Sequence, residues 1–296
     1  GEHNRKAKEA EEATGIPEGT KVLASGSDKA CETLGVGCIN DCCASLSFGT
    51  TATIQTTTPE YIEPITFMPA YPAVVKGRFN PEVQIFRGYW MISWFKEQFA
   101  KHEEVLAKQR GVMLEDILDE RLENIPAGCN GLLLQAFWTP GLKEPEGKGA
   151  IVGFTDVHDK DHIYRAIIEG IGFGLMDGLK AMEKKSKHPV KFLTVSGGGS
   201  SSNIICQITA DMFGRPVKRV QTYETSGLGS AMATYLGLGI YESVEDAVEK
   251  MVHFSDCFEP NMEDHKIYAQ IYDKVYSKMY KRVKPLSIAI RDIIKM

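Results

Sequence analysis

The sequence contains no apolar run approaching the about 18–20 residues that a helical membrane span requires, so it offers no candidate for one. It also has no CxxC pair. Its seven cysteines, at positions 31, 38, 42, 43, 129, 206 and 257, are odd in number, and a structural zinc site needs four ligands, usually in such pairs. Cys38, Cys42 and Cys43 lie close together without a second pair. No metal site is therefore assigned, and the cysteines read as buried, reduced thiols of a cytoplasmic protein. A surplus of basic residues is missing too. Lys and Arg number 34 against 39 Asp and Glu, for a net charge of −5, which speaks against nucleic acid as a partner. No internal repeat or low-complexity tract interrupts the chain. The first fifteen residues, GEHNRKAKEAEEATG, are polar and helical in character and carry no secretory signal. They lack an initiator Met, and a start at Gly1 in mid-helix reads like a piece of something longer.

What is present is an ordinary soluble composition. Hydrophobic residues make up 43% and charged residues 25% of 296 positions, enough for one large or two modest domains with a sizeable core. The pattern predicts a short helix to about Pro17, a strand over Lys21–Ser25, and a short helix over Cys31–Gly35 that starts near Asp28. Residues 44–57, ASLSFGTTATIQTT, suit two strands joined at Gly49. Prolines and aromatics over 63–87 suggest strands and loops, and apolar residues at helical spacing mark a helix from about Tyr89 to Lys108. Asn130–Phe137 reads as a buried strand, followed by the loop WTPGLKEPEGKG and a long helix from about Lys160 to Glu183. Next come a strand over Lys191–Val195, a helix over Ser202–Phe213, a strand over Val217–Gln221, and helices over about 227–238, 244–252 and 264–284. Strands alternating with glycine loops and helices indicate an α/β protein with a partly parallel sheet. Ligands of such sheets bind at the carboxyl ends of the strands, where the loops 196–202 and 222–227 fall.

Three motifs carry chemistry. In VSGGGSSSN, residues 195–203, the glycines permit close backbone approach, and Ser and Asn before a helix leave backbone N–H groups facing outward. Such a loop holds a phosphate or a nucleoside, or is a plain tight turn. No GK[ST] follows, so it is not a Walker A loop. The strand over Val217–Gln221 runs into Thr222 and Tyr223, with Glu224 only beyond. The ribose-binding acid of a dinucleotide enzyme is therefore missing. In SFGTT, residues 47–51, Gly49 lets the hairpin bend, and Thr50 and Thr51 offer donors to a phosphate or serve β propensity. In GSDKACE, residues 26–32, an Asp at a strand's carboxyl end suits a site, or it caps the helix.

In order and spacing these motifs resemble the FGGY family of carbohydrate kinases. Asp28 stands 22 positions before Thr50, as the family's catalytic Asp stands before its phosphate-binding Thr. Gly153, His158, Arg165, Ala166, Glu169 and Gly170 are similar to the family's second signature. The run GGGSSSNIICQITADMFGRPV, with Gln207, Ala210 and Asp211, resembles its adenosine loop and the following helix, and ETSGLGSAMATYLGLGIY resembles the segment that ends the nucleotide lobe. The resemblance implies an α/β ribonuclease H-like, actin-like ATPase domain: a mixed sheet flanked by helices, the second lobe of a two-lobed kinase. That lobe would span residues 1–296 with a core of about 7–284. The sugar-binding lobe, with its Asp-x-Gly-Thr motif, is absent from the sequence.

The resemblance further implies ATP-dependent phosphorylation of a sugar or polyol hydroxyl, with Mg²⁺ bridging the phosphates and Asp28 as catalytic base. Gly49, Thr50 and Thr51 would face the terminal phosphates. Gly197, Gly198, Gly199, Ser202 and Asn203 would face the nucleoside. Gly88 resembles another nucleotide contact, in a region one residue longer than in glycerol kinase. Lys29, where many members carry Gln or Asn, would touch substrate and suit a more acidic sugar, or is a surface lysine. The expected setting is cytoplasmic, with no membrane or nucleic-acid partner and a homodimer compatible with the family. The alternative is a non-catalytic, nucleotide-binding regulatory module of the actin-like superfamily.

Overall fold

In the computed structural model, which describes residues 2–139 and 145–294, the Ser- and Thr-rich run folds as the expected hairpin, β1 (Cys43–Phe48) against β2 (Ala52–Thr56). Strand alternation sorts its two faces. Ala44, Leu46, Phe48, Ala52 and Ile54 join the main core, while Ser45, Ser47, Thr53 and Gln55 are buried polar residues. Gln55 and Ser47 meet Thr33 and Lys29 of α2 (Asp28–Gly35). β3 (Tyr71–Pro72) and β4 (Phe79–Asn80) form a small ribbon, and β5 (Glu82–Ile85) extends the sheet beyond β2. On the other side of β1, β8 (Phe192–Ser196) and β9 (Val217–Val220) run parallel to it, and β10 (Phe254–Phe258) closes the edge antiparallel. The six-stranded order is β10-β9-β8-β1-β2-β5, and β6 (Leu133–Gln135) pairs separately with β7 (Ala150–Val152).

Helices cover both faces. One carries α3 (Trp90–Phe99), α5 (Leu114–Leu122), α6 (Lys160–Ser186), α7 (Asn203–Phe213) and α10 (Met262–Ile271), whose apolar residues make the main core. Each large apolar side chain buried there is worth roughly 1.5–3 kcal/mol. α4 (Lys101–Arg110) packs outside α5. The other face carries α2, α8 (Thr225–Gly237) and α9 (Val244–Met251) around Leu34, Val36, Val220, Met232 and Ala247. α2 and α8 approach so closely that a Cβ at Gly35 would collide with the Thr225 carbonyl, and one at Gly229 with the Cys31 carbonyl. α1 (Glu2–Thr14) precedes this unit, and α11 (Ser277–Ile294) follows a single π-helical turn at Tyr272–Tyr276.

Several expectations change. Residues 21–27 form no strand. Val22 is 94% exposed, and Leu23 instead packs against Gly237 of α8. The helix expected over 89–108 is two, divided at Ala100, whose backbone leaves the helical region. The strand expected over Asn130–Phe137 shortens to Leu133–Gln135, because Asn130 has φ +50. Of the loop over 138–149, residues 140–144 lie outside the described residues. All seven cysteines are free thiols, and burial pushes Cys129 and Cys206 up to about 12, well outside the reactive range.

Charged side chains tie α6 to its surroundings. Arg165 is buried, and its Nε donates to Glu169 Oε1 at 2.7 Å while Nη2 donates to the Tyr268 hydroxyl at 2.7 Å. Tyr268 donates in turn to Glu169 Oε1 at 2.8 Å, and the Gly128 N–H donates to the same oxygen at 3.2 Å. Burial works against the guanidinium charge, but Glu169 outweighs it and raises Arg165 further. Arg165→Met would leave the Glu169 carboxylate buried without its counter-charge, and should cost about 3–5 kcal/mol in urea unfolding. Tyr268→Phe removes hydrogen bonds to charged groups and should cost about 1.5–3 kcal/mol.

At the N-terminus of α6, Lys160 Nζ lies 2.7 Å from both oxygens of buried Glu103. Burial favours the neutral acid, yet the Lys160 hydrogen bonds overcome it and hold Glu103 below the ordinary glutamate range. A depressed folded-state value contributes stability that is complete at neutral pH and is lost as pH falls through it. Glu103→Gln should therefore flatten the stability–pH curve below about pH 5, measured as the urea midpoint against pH.

Candidate functional site

The parallel pairing of β1 with β8 sets Ser47 beside Ser196. The turn after β1 and the glycine loop after β8 therefore leave the sheet side by side. Gly197 has φ +79, which a residue with a Cβ adopts only under strain, and a Cβ there would crowd the Phe48 backbone at 3.0 Å. The loop then folds on itself. Ser200 N and Oγ donate to Gly197 O at 3.0 and 2.7 Å, and Ser201 Oγ donates to Gly198 O at 2.8 Å. Ser202 caps α7 as expected, accepting from Ile205 N at 3.1 Å.

Between these elements lies a cavity of about 690 Å³, lined by Gly49, Thr50, Gly198, Gly199 and Ser202 together. A Cβ at Gly198 would meet nothing within 4 Å, so the backbone there is open to a ligand. One wall is aromatic: Tyr89 stacks on Phe48 with ring centroids 4.8 Å apart. Burial pushes the Tyr89 phenol well above its usual value, which keeps it neutral. Part of the lining is acidic, with Glu115, Asp116 and Asp119 contributed by α5. Burial raises the Asp119 carboxyl, the Ser202 hydroxyl pulls it back, and the neighbouring Asp116 and Glu115 raise it again. Lys96 of α3 pairs with Glu115; burial would raise that carboxyl, but Lys96 holds it low. The cavity thus combines backbone donors from the two loops with carboxylate acceptors from α5, and the two sets meet where the Ser202 hydroxyl touches Asp119.

Six sequence-predicted site residues do not line this cavity: Asp28, Lys29, Thr51, Gly88, Gly197 and Asn203. Gly88 abuts Ala52, where a Cβ would fall 2.5 Å from the Ala52 Cβ, and only its neighbours Tyr89 and Trp90 reach the cavity. Asn203 accepts from Arg219 at 2.9 Å. Asp28 does not follow a strand. It is the first residue of α2, behind the N-cap Ser27, and is exposed with its Oδ1 accepting from Lys29 N at 2.8 Å. The loop 222–227, expected at a ligand site, packs on α2, with Ser226 Oγ donating to Asp28 O at 3.3 Å.

A residue that sequence reasoning missed ties α2 to the strand ends. Glu32 is 7% exposed; it accepts from Lys29 Nζ at 2.6 Å and from the Ser196 hydroxyl at 2.6 Å. Lys29 Nζ reaches on to Ser47 Oγ at 3.4 Å. Lys29 and Glu32 thus bracket the Ser47–Ser196 pair and hold the N-terminus of α2 beside both loops. The i,i+3 spacing of Lys and Glu was the available signal. Among the described residues, no group of three or more His, Cys, Asp or Glu is placed to hold a metal ion. No described helix is long and apolar enough to cross a membrane.

A mixed sheet between two helical layers, with a ligand-sized cavity at the carboxyl ends of its parallel strands, defines an α/β domain of the ribonuclease H-like, actin-like type. Residues 44–238 match the C-terminal domain of the FGGY family of carbohydrate kinases, and the chain belongs to that family. A protein described as an uncharacterized sugar kinase from Escherichia coli K12 is 31% identical over 259 residues, covering 86% of this chain and 52% of that protein. A xylulose kinase from Staphylococcus epidermidis is 31% identical over 264 residues, covering 86% of this chain and 50% of that protein. The crystal structure of a gluconate kinase from Lactobacillus acidophilus shares the fold, with a TM-score of 0.80 at 22% identity over 93% of this chain and 54% of that one. The chain spans about half the length of the curated relatives it matches.

The two middle glycines of the loop should respond differently to a methyl group. A Cβ at Gly199 would fall 2.9 Å from the Phe48 Cβ and against the Tyr89 ring, so Gly199→Ala should destabilise the chain by about 1–3 kcal/mol through overpacking. Gly198→Ala meets open space and should leave the unfolding midpoint unchanged. Urea denaturation of the two variants compares them directly.

Proposed function

We propose that this chain is the ATP-binding lobe, residues 1–296 with a core of about 7–284, of a two-lobed kinase that phosphorylates a hydroxyl of a sugar or polyol. The sugar-binding lobe would lie outside it, in keeping with relatives about twice its length. The observation that carries the reading is the shared cavity. It joins the Gly49–Thr50 turn to Gly198, Gly199 and Ser202, and so offers an anion donors from two adjacent loops and a helix N-terminus. The triphosphate would lie against the Gly49–Thr50 turn and the loop glycines, because Glu115, Asp116 and Asp119 would repel it from the α5 wall. Those carboxylates, acceptors only, suit the hydroxyl and amino donors of a nucleoside.

Asp28 would orient the acceptor hydroxyl for in-line attack on the γ-phosphate and take its proton late in the transfer. Its exposure and the Lys29 N–H on its Oδ1 leave one carboxylate oxygen free for that task. Lys29 carries a charge already compensated by Glu32, which favours a neutral sugar or polyol over an acidic one. Mg²⁺ would draw on Asp28, phosphate oxygens and water, as a hard cation that keeps several waters, and would neutralise phosphate charge. The free thiols fit a reducing, cytoplasmic setting.

The test is a coupled ADP-release screen of the full-length protein against pentuloses, hexuloses, polyols and aldonates. Turnover of at least one neutral member is expected; no turnover on any of them would overturn the reading. In that protein Asp28→Ala should lower turnover by on the order of 10²–10⁴ and leave ATP binding largely intact. Ser202→Ala should weaken ATP binding by about 1 kcal/mol, the worth of one hydrogen bond, read by calorimetry.

A further inference from the structure

We infer that Arg219 is a positioning residue for the nucleotide, clamping the glycine-rich loop so that its backbone donors face the cavity; the inference rests on the nucleotide reading above. Arg219 lies on β9, the strand next to β8, with a side chain 13% exposed. Its Nη1 donates to Ser200 O and Ser201 O, both at 3.0 Å. Nη2 donates to Asn203 Oδ1 at 2.9 Å, the residue that opens α7. The inner edge of the guanidinium is fixed by Asp256 of β10, whose Oδ2 accepts from Nη2 at 2.6 Å and from Nε at 2.9 Å. Ser255 Oγ donates to the same oxygen at 2.7 Å.

Peptide planarity converts this clamp into donor orientation. Within one peptide unit the C=O and the next N–H point in opposite directions. Holding the carbonyls of Ser200 and Ser201 on Arg219 therefore turns the N–H groups of Ser201 and Ser202 away from it, and both residues line the cavity. The hydrogen bonds from Ser200 and Ser201 to Gly197 O and Gly198 O stay within the loop, and Cys206 Sγ of α7 donates to Ser200 O at 3.4 Å. They set its shape without anchoring it to the sheet. The charge of Arg219 is matched by Asp256, so the role is one of geometry. A planar fork reaches two carbonyls, an amide oxygen and a carboxylate at once; an ammonium cannot.

The experiment uses the 296-residue chain as wild type, Arg219→Met, Arg219→Lys and Asp256→Asn. It measures urea unfolding, amide exchange without ligand, and calorimetry with ADP and with ATP plus Mg²⁺. Expected are exchange about tenfold faster at residues 199–202, no change at β8, and an ADP dissociation constant raised about tenfold in both Arg219 variants. Lys should fail to rescue, since it restores only the charge. In the full-length enzyme, Arg219→Lys should raise KM for ATP and leave KM for the sugar unchanged. Wild-type exchange at 199–202 in Arg219→Met, or ADP affinity within about twofold of wild type, overturns the clamp alone. Failure of the wild-type chain to bind ADP overturns the nucleotide reading and this role with it. Should Arg219→Met not fold, Arg219→Lys and Asp256→Asn decide, because each loosens the fork without removing a large side chain from the sheet.

Discussion

The register that sets Ser47 of β1 beside Ser196 of β8 is the constraint on which the site depends. Parallel strands send both following loops out of the same edge of the sheet, so a Thr-bearing turn and a triple-glycine loop become neighbours though they lie some 150 positions apart in the chain. A slip of one residue would invert every side chain on β1, turning Leu46 toward α2 and Ser47 into the main core. The Lys29–Glu32 pair reinforces the register chemically, since Lys29 touches Ser47 and Glu32 accepts from Ser196. α2 is thereby held against the strand ends, and its close contact with α8 through Gly35 and Gly229 fixes it from the other side.

Behind the site, α6 serves as the spine of the main core. Gly170, Gly174 and Gly178 fall on one face of it, where added Cβ atoms would strike Leu134, Ile85 and Ile54 or Val83, so the helix lies close on the sheet. Arg165 and Glu169 from the same helix reach Tyr268 and the Gly128 backbone. A buried pair of this kind adds little net stability over an apolar replacement, but it costs heavily when one partner is lost. Its effect is to specify how α6, α10 and the turn at Gly128 meet.

Much of this was legible in the sequence. The hairpin at 43–56, the long α6, the β8–loop–α7–β9 unit and α8 all carried local signals: alternating small and apolar residues, helical spacing, glycine runs and a Ser cap. The elements that were not legible lacked them. α5 is short and rich in charge, and β10 is an edge strand whose residues are mostly exposed, so neither shows a clean apolar period. Lys21–Ser25 has the β-favouring residues of a strand but pairs with no neighbour, and pairing is a property of the whole sheet. The acidic lining of the cavity was hidden for the same reason, because Asp119 and Ser202 meet only once α5 and α7 have packed.

The sequence by itself determined the α/β class, the family and the residues that can turn or cap: Gly197 needs no Cβ, Ser202 can cap, and Asp28 has a carboxylate, wherever the chain goes. Tertiary structure alone decided which of them share a space. Gly49, Thr50, Gly198, Gly199 and Ser202 line one cavity, while Gly88 serves packing against Ala52 and Asn203 serves Arg219. The physical reason is that caps and turns are settled by interactions a few residues long, whereas a cavity wall is settled by strand register and helix packing across the whole chain.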